Sequence, residues 1–247
     1  MTDSPLRVHV LDPDRVRFPD PSGALEDPNG LLALGGNLKP ETLMTAYRAG
    51  IFPWYEQHQP ILWWSPDPRA VLRPEHIHIS RSLRKSLRQG RYQITSDTAF
   101  PEVIRACAQR PLPTRGTWIT TAMIAAYCRL HDLGHAHSVE CWMNGELAGG
   151  LYGVAVGGIF CGESMFSRRA NASKIALAHL VYALQDAGFA LLDCQVGNEH
   201  LFSLGATMIR REDFLAILHE HVNTTISWPQ SRISVSVSAN HDSALRP

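Results

Sequence analysis

The sequence predicts an α/β (α+β) protein in which a mixed sheet with helices follows a small N-terminal domain. Three observations lead to this class. Hairpin-linked strands fill residues 138–166, a helix and a buried strand come directly after them, and residues 1–68 instead concentrate proline, glycine and tryptophan. The chain has 247 residues, of which 45% are hydrophobic, so it is long enough to bury a large core.

The N-terminal segment, residues 1–68, is predicted to form the small domain. Pro40 suits the first turn of a helix and Gly50 its end, so residues 41–49 are predicted to be helical. Three of the six tryptophans follow within residues 54–64. Because Ser65-Pro66-Asp67-Pro68 is a turn signal, we place the domain boundary there.

The second domain, residues 69–227, is predicted to contain the sheet. Asn144-Gly145 and Gly157-Gly158 supply the positive φ angles of tight hairpins, which predicts a three-stranded antiparallel meander. The later elements are a helix capped by Asn171 or Ser173 and ended by Gly188, a buried strand over 189–196, a short helix to 204, a strand to 210 and a helix over 212–221. This order is compatible with an acetyltransferase-like (GNAT) architecture. Residues 228–247 show no core pattern and are predicted to be largely disordered.

Composition narrows the classes of function. No apolar run approaches a membrane span and the first residues lack a signal peptide, which predicts a cytoplasmic protein without a membrane partner. The 23 lysines and arginines balance 23 aspartates and glutamates, so net charge does not decide for or against nucleic acid. Five widely spaced cysteines predict reduced thiols. No metal is predicted, because the candidate ligands lack the spacing of a metal motif: His131, His135, His137 and His200.

Two cationic segments are candidate phosphate sites. A helix would present four cations at positions i, i+3, i+4 and i+7, with no acidic residue between 77 and 95. These residues are Arg81, Arg84, Lys85 and Arg88. The second segment, residues 167–174, leads into a helix N-terminus but has no glycine, which disfavours coenzyme A. The alternative for the helix is a solvated face, and the alternative for the second segment is a capped helix with surface arginines.

Polar residues end the buried strand 189–196. Asp193 and Gln195 are predicted to project to one face and Cys194 to the other, because side chains alternate along a strand. Together with Glu163, they would form an acceptor-rich cluster suited to an amine substrate. Cys194 and Cys161 are predicted to be packed thiols, since no base lies next to them in the sequence.

Six motifs together resemble the leucyl/phenylalanyl-tRNA-protein transferases in order and spacing, over roughly residues 18–221. They are Asn29–Gly36, Gly50–Trp54, Leu62–Arg69, Gly116–Thr120, Phe160–Ser167 and Asp193–Gln195. The resemblance implies a GNAT-like C-terminal domain and an enzyme that uses neither metal nor coenzyme A. It also implies transfer of leucine or phenylalanine, less readily methionine, from its tRNA to proteins that begin with Lys or Arg. Such proteins are then marked for N-degron proteolysis.

The resemblance also implies roles for individual residues. Trp54 and Trp118 match tryptophans that stack on the 3′-terminal adenosine of tRNA. Asp193 and Gln195 match residues proposed to act in catalysis, and Glu163 one near the acceptor. The donor side chain is expected in a pocket formed by Met165, Leu177, Leu180, Leu184 and Leu192.

Two other functions remain open on the sequence. One is an N-acyltransferase of the same fold that uses coenzyme A or another carrier. The other is a non-catalytic RNA-binding module that uses the basic helix and the tryptophans. A monomer is expected for the transferase that the motifs indicate.

Overall fold

The computed structural model describes residues 8–109 and 117–236, and within them it has the predicted α/β class with a mixed sheet. The strands are β1 (His9–Leu11), β2 (Leu31–Gly35), β3 (Phe52–Pro53), β4 (Leu62–Trp64), β5 (Arg69–Leu72), β6 (Gln93–Ser96), β7 (Ala136–Met143), β8 (Glu146–Val156), β9 (Ile159–Ser167), β10 (Leu191–Gln195), β11 (Thr207–Ile209) and β12 (Val235–Ser236). The helices are α1 (Pro40–Arg48), α2 (Arg81–Gln89), α3 (Phe100–Ala108), α4 (Thr121–Asp132), α5 (Ala172–Ala187), α6 (Glu199–Phe202), α7 (Arg211–His221) and α8 (Gln230–Ile233).

A four-stranded sheet in the order β1-β2-β4-β3 organises the N-terminal part of the chain. Helix α1 begins at Pro40 and Gly50 follows it with φ of 73°, as the sequence predicts. Trp63 on β4 is fully buried, and its indole Nε1 donates to the Gly35 carbonyl at 2.9 Å. Trp63 is therefore a core residue, whereas Trp54 is left exposed.

The large sheet has the order β11-β5-β10-β9-β8-β7-β6-β12. Strands β7, β8 and β9 form the predicted antiparallel meander, with Asn144, Gly145 and Gly157 at positive φ in its turns. Helix α5 then returns the chain so that β10 lies parallel to β9. Strand β5, although it comes first in the sequence, pairs between β10 and β11.

The two sheets share a hydrophobic core. Leu43 and Trp63 from the first part pack in the same buried cluster as Phe100 and Val154 from the second. The predicted boundary at residue 68 thus separates the sheets but not the core. Helices α3 and α4, which the sequence analysis does not identify, contribute much of this cluster.

The prediction of disorder from residue 228 onward is wrong for residues 228–236. Trp228 stacks on His137 with ring centroids 4.1 Å apart, Ile233 of α8 is fully buried, and β12 pairs with β6. A single tryptophan and one isoleucine supply the packing, so no periodic pattern announces it. Residues 237–247 lie outside the described part of the chain.

No helix within residues 8–109 and 117–236 is both long and apolar enough to cross a membrane.

Candidate active site

A cavity of about 940 Å³ lies between the small sheet and the carboxyl end of β10. It brings together most of the predicted site residues, which line its wall: Trp54, Trp118, Glu163, Met165, Leu177, Leu180, Leu192 and Gln195. Of the residues predicted for the catalytic, acceptor and donor sites, two are not in its lining, and neither are the four cations of α2. Leu184 is instead fully buried in the core around α5, so its predicted place in the donor pocket is wrong, and Asp193 lies behind the cavity wall.

Asp193 is held in a buried ion pair with Arg69. The guanidinium donates Nε to Oδ1 at 2.8 Å and Nη2 to Oδ2 at 2.7 Å, and both side chains are almost completely buried. Arg69 also donates Nη1 to the Gly50 carbonyl at 3.1 Å and lies over the rings of Phe52 and Phe214. The planar guanidinium thus forms two parallel hydrogen bonds to the carboxylate, the bidentate geometry of strong arginine–carboxylate pairs. The sequence pattern does not identify Arg69 as a site residue.

Gln195 does not follow the alternation of strand β10. Its φ is 63°, and the register with β5 shifts between Asp193 and Gln195, which marks a β-bulge. The prediction that Asp193 and Gln195 share a face is therefore wrong: Gln195 turns into the cavity while Asp193 stays behind it. Asp193 Oδ1 accepts the backbone N–H of Gln195 at 2.9 Å and so supports the bulge.

Cys194 lines the cavity, beside Leu192 on the same face of β10. The sequence predicts a thiol that serves packing alone. Burial, followed by the nearby Asp193 charge, raises the pKa of the Cys194 thiol well above its ordinary value. The thiol is thus a neutral wall group and a poor nucleophile.

Glu163 is the centre of a hydrogen-bond network at the cavity wall. Its Oε1 accepts from Tyr47 Oη at 2.7 Å and from Gln195 Nε2 at 2.8 Å, and its Oε2 accepts from Tyr127 Oη at 3.2 Å. The two tyrosine hydroxyls also contact each other. Burial raises the pKa of Glu163 to about 7, against the lowering effect of these donors. Such a pKa suits a group that exchanges a proton near neutral pH.

Tyr47 and Tyr127 were missed by the sequence analysis. Both occupy apolar positions of helices, Tyr47 in the last turn of α1 and Tyr127 in α4, where a packed aromatic is the ordinary interpretation. Burial also raises the pKa of both phenols well above the usual 10.0, so they act as hydrogen-bond donors. Only the convergence of the two helices on β9 reveals the role.

Apolar side chains form another part of the cavity wall. The four predicted pocket residues that reach it are joined by others that the sequence analysis did not name: Leu72, Leu151, Phe160, Leu201 and Leu204. This surface suits an apolar group and carries no charge.

The two predicted tryptophans bound the same cavity. Trp54 is 42% exposed, and the Trp64 indole Nε1 donates to its carbonyl at 2.6 Å, which fixes the backbone that presents it. Trp118 is partly buried. Gly116 of the predicted Gly116–Thr120 motif lies outside the described residues.

The four cations of α2 are all exposed, and none has an ion-pair partner within the described ranges. Helix α2 contacts α5, where Asn171 Nδ2 donates to Ser86 Oγ at 3.1 Å. The same bond brings α2 next to the cationic segment 167–174. That segment lines a second cavity, and Met165 and His200 line both cavities. The cationic segment 167–174 therefore lies between α2 and the edge of the candidate site.

Two of the four histidines considered as metal ligands, His131 and His137, have other partners. His137 Nδ1 is 2.8 Å from Asp97 Oδ2, and His131 Nδ1 is 2.8 Å from the Ala136 carbonyl. In the part of the chain that the structure describes, no three metal-ligating side chains lie together. The absence of a metal stays a prediction.

Comparison with solved structures gives weak likenesses only. A GCN5-related N-acetyltransferase from Kribbella flavida has a TM-score of 0.36 at 14% identity, over 66% of this chain and 58% of that one. L-PGS from Bacillus licheniformis also has a TM-score of 0.36, at 12% identity, over 64% and 51%. The family assignment rests on sequence instead.

Sequence comparison gives strong matches. The profile described as leucyl/phenylalanyl-tRNA protein transferase matches residues 71–219, and that of its N-terminal domain matches residues 36–67. The leucyl/phenylalanyl-tRNA–protein transferase of Pseudomonas putida (strain W619) is 58% identical over 220 residues, which are 88% of this chain and 97% of the relative. That of Aromatoleum aromaticum is 58% identical over 209 residues, which are 85% and 88%. The chain therefore belongs to the leucyl/phenylalanyl-tRNA protein transferase family and is an aminoacyltransferase, as its motifs predict.

Proposed function

We propose that the chain transfers leucine or phenylalanine, and less readily methionine, from aminoacyl-tRNA to proteins that begin with Lys or Arg. The modified proteins would then enter N-degron proteolysis, in the cytoplasm. The observation that carries the proposal is the composition of one cavity. It has an aliphatic wall, the tryptophans Trp54 and Trp118, and a polar wall formed by Gln195 and Glu163.

The donor would occupy the aliphatic and aromatic parts of the cavity. The terminal adenosine, which is common to every tRNA, would stack on Trp54 and Trp118, where each stacked base contributes about 1–3 kcal/mol. The aminoacyl side chain would enter among Met165, Leu177, Leu180 and Leu192. An apolar pocket distinguishes side chains that differ by one methylene by only about 1–3 kcal/mol, which fits a relaxed choice of donor.

The acceptor amine would meet the ester carbonyl beside Gln195. Because Glu163 accepts from Gln195 Nε2, the Gln195 Oε1 is free to accept from the attacking amine and orient it. The amine nitrogen forms a bond to the carbonyl carbon, and the ester C–O bond breaks as the tetrahedral intermediate collapses. The ribose oxygen of the tRNA leaves as a hydroxyl, with the proton that the amine gives up by way of Glu163. An α-amine with a pKa of about 7.7–8.0 has a useful neutral fraction at pH 7.

Glu163 would bind the acceptor and take up its proton. Its pKa of about 7 matches that task at neutral pH better than any carboxylate of ordinary pKa. Asp193, which already pairs with Arg69, would contribute by holding the Gln195 backbone and so be a positioning residue.

The tRNA body would lie on the basic surface of α2, with Arg81, Arg84, Lys85 and Arg88 contacting phosphates. We also propose that a small domain over residues 1–68 precedes a large domain that begins at residue 69, and that the protein is a monomer.

One assay tests the proposed function. Purified protein is incubated with radiolabelled leucyl-tRNA and a peptide that begins with Arg, and in parallel with the same peptide N-acetylated. Label should enter the free peptide only. Label in neither peptide would remove the transferase proposal, and equal label in both would exclude the α-amine as acceptor.

The basic surface gives a second measurement. Arg84→Ala combined with Arg88→Ala should weaken tRNA binding and lower the slope of log K against log salt by about 1 for each lost phosphate contact. Arg129→Ala, an exposed arginine on α4, is the control. Unchanged binding of the double variant across a salt series would mean that these cations only form a solvated helix face and do not contact tRNA.

Removal of metal should have no effect. Enzyme dialysed against EDTA, then freed of the chelator and assayed in the usual magnesium-containing tRNA buffer, should retain its transfer rate. A rate that falls and is restored by one added transition metal would contradict the predicted metal-free mechanism.

A further inference from the structure

An exposed apolar surface begins directly after the strand that ends the candidate site. Val196 is 47% exposed, Phe202 44% and Met208 40%. They are three of the six large hydrophobic residues that are exposed in the described ranges, and one of the others, Trp54, belongs to the cavity. We call Val196, Phe202 and Met208 the exit surface.

Gly197 makes the exit surface continuous. A Cβ atom on Gly197 would lie 2.5 Å from Phe202 Cζ and 2.7 Å from Met208 Sδ, so both side chains lie directly on its backbone. At the other end, Val196 lines the cavity itself. The apolar surface therefore runs without a break from the cavity wall to β11.

Strand pairing gives the distance from the candidate site to this surface. Gln195 on β10 and Met208 on β11 both pair with Ala70 of β5, from its two sides. Two interstrand spacings separate them by about 10 Å. An extended polypeptide covers about 3.3–3.6 Å per residue, so a chain whose first residue lies at Gln195 reaches Met208 by its fourth.

The chemistry of the exit surface selects among possible occupants. Val196, Phe202 and Met208 carry no charge, so they offer nothing to tRNA phosphates, which require lysine or arginine. The basic surface of α2 meets that requirement elsewhere. An apolar side chain of a polypeptide fits the exit surface and gains free energy by leaving water.

We propose that the exit surface binds the acceptor polypeptide at its second to fourth residues and favours an apolar side chain there. This inference rests on the proposed function, which places the acceptor amine at Gln195. Among chains that begin with Lys or Arg, those with an apolar residue soon after would thus be the better acceptors.

A peptide series tests this specificity. Peptides that begin Arg-Ser-Ser-Ser are compared with versions that carry leucine at position 2, 3 or 4, with leucyl-tRNA as donor. At least one leucine peptide should have a KM about fivefold lower than the all-serine peptide. Met208→Gln should raise that KM to the value of the serine peptide, whereas Leu133→Gln, at an equally exposed leucine outside the exit surface, should preserve the difference.

The outcomes separate the two proposals. Transfer to all peptides with equal KM would overturn the exit surface and leave the proposed function standing. Transfer to none of them would overturn the proposed function, and the exit surface with it. A wild-type dimer in sedimentation that Met208→Gln dissociates would assign the surface to a second copy of the chain instead.

Discussion

The free energy of unfolding of an Arg69→Met variant should be about 3–5 kcal/mol lower than that of the wild type, because the variant leaves the Asp193 carboxylate buried without its partner. It should also lose most transfer activity, since Asp193 would no longer hold the Gln195 backbone in the bulge. Urea unfolding measures the first effect, and steady-state transfer to an Arg peptide measures the second. Arg69→Lys, which keeps the charge but not the planar fork, should fall between the two proteins in both measurements.

A double variant separates packing from positioning. Arg69→Met combined with Asp193→Leu removes both charges, so it should recover part of the stability lost by the single variant. It should not recover activity, because Asp193→Leu removes the carboxylate that accepts the Gln195 N–H. Full activity in a stable double variant would show that the ion pair has no part in arranging Gln195.

Replacement of Glu163 by glutamine should lower kcat by a factor of about 100 or more, the range lost with a general acid–base group. In the wild type kcat/KM should rise with pH through about 7, because the carboxylate must be deprotonated to accept the proton. In Glu163→Gln this rise should disappear and leave only the titration of the acceptor amine. Glu220→Gln, on an exposed face of α7, is the matched control. An unchanged pH profile in Glu163→Gln would exclude Glu163 as the proton acceptor.

Glu163 should also make the stability of the wild type depend on pH, and Glu163→Gln should remove this dependence. The folded pKa of Glu163, about 7, lies above its ordinary value of 4.5, so the folded protein holds this proton more tightly than the unfolded chain does. The contribution is fully present below pH 4.5 and is lost as pH rises to 7. The unfolding free energy of the wild type should therefore fall by about 3 kcal/mol relative to Glu163→Gln over this interval.

The fold is predicted best where local chemistry decides it. Asn144-Gly145 and Gly157-Gly158 set their hairpins through backbone conformation, and Pro40 sets the start of α1, so the sequence alone is sufficient at these places. Helix α8 and strand β12 depend on a few long-range contacts, such as Trp228 with His137. Such isolated contacts produce no periodic pattern of hydrophobic residues in the sequence.

The site divides in the same way. The motifs identify Gln195, Glu163 and the tryptophans because their surroundings are unusual in composition. The prediction that Asp193 and Gln195 share a face is wrong because a single bulge between them interrupts the alternation of β10. The residue types give no sign of this bulge. Tyr47 and Arg69 were missed because each carries out a polar role from a position that packs like an ordinary core residue.

The place of β5 in the large sheet has a consequence for synthesis of the protein on the ribosome. Leu72 of β5 pairs with Leu192 of β10, and Ala70 with Met208 of β11, so this strand emerges long before either neighbour exists. At about 5–20 residues per second the delay is on the order of ten seconds. Throughout that time the backbone N–H and C=O groups of Arg69–Leu72, a strand that is buried in the folded protein, have no neighbouring strand to pair with. A fold with such distant pairings has a high contact order, so completion of the sheet should be the slow step and the one most helped by a chaperone.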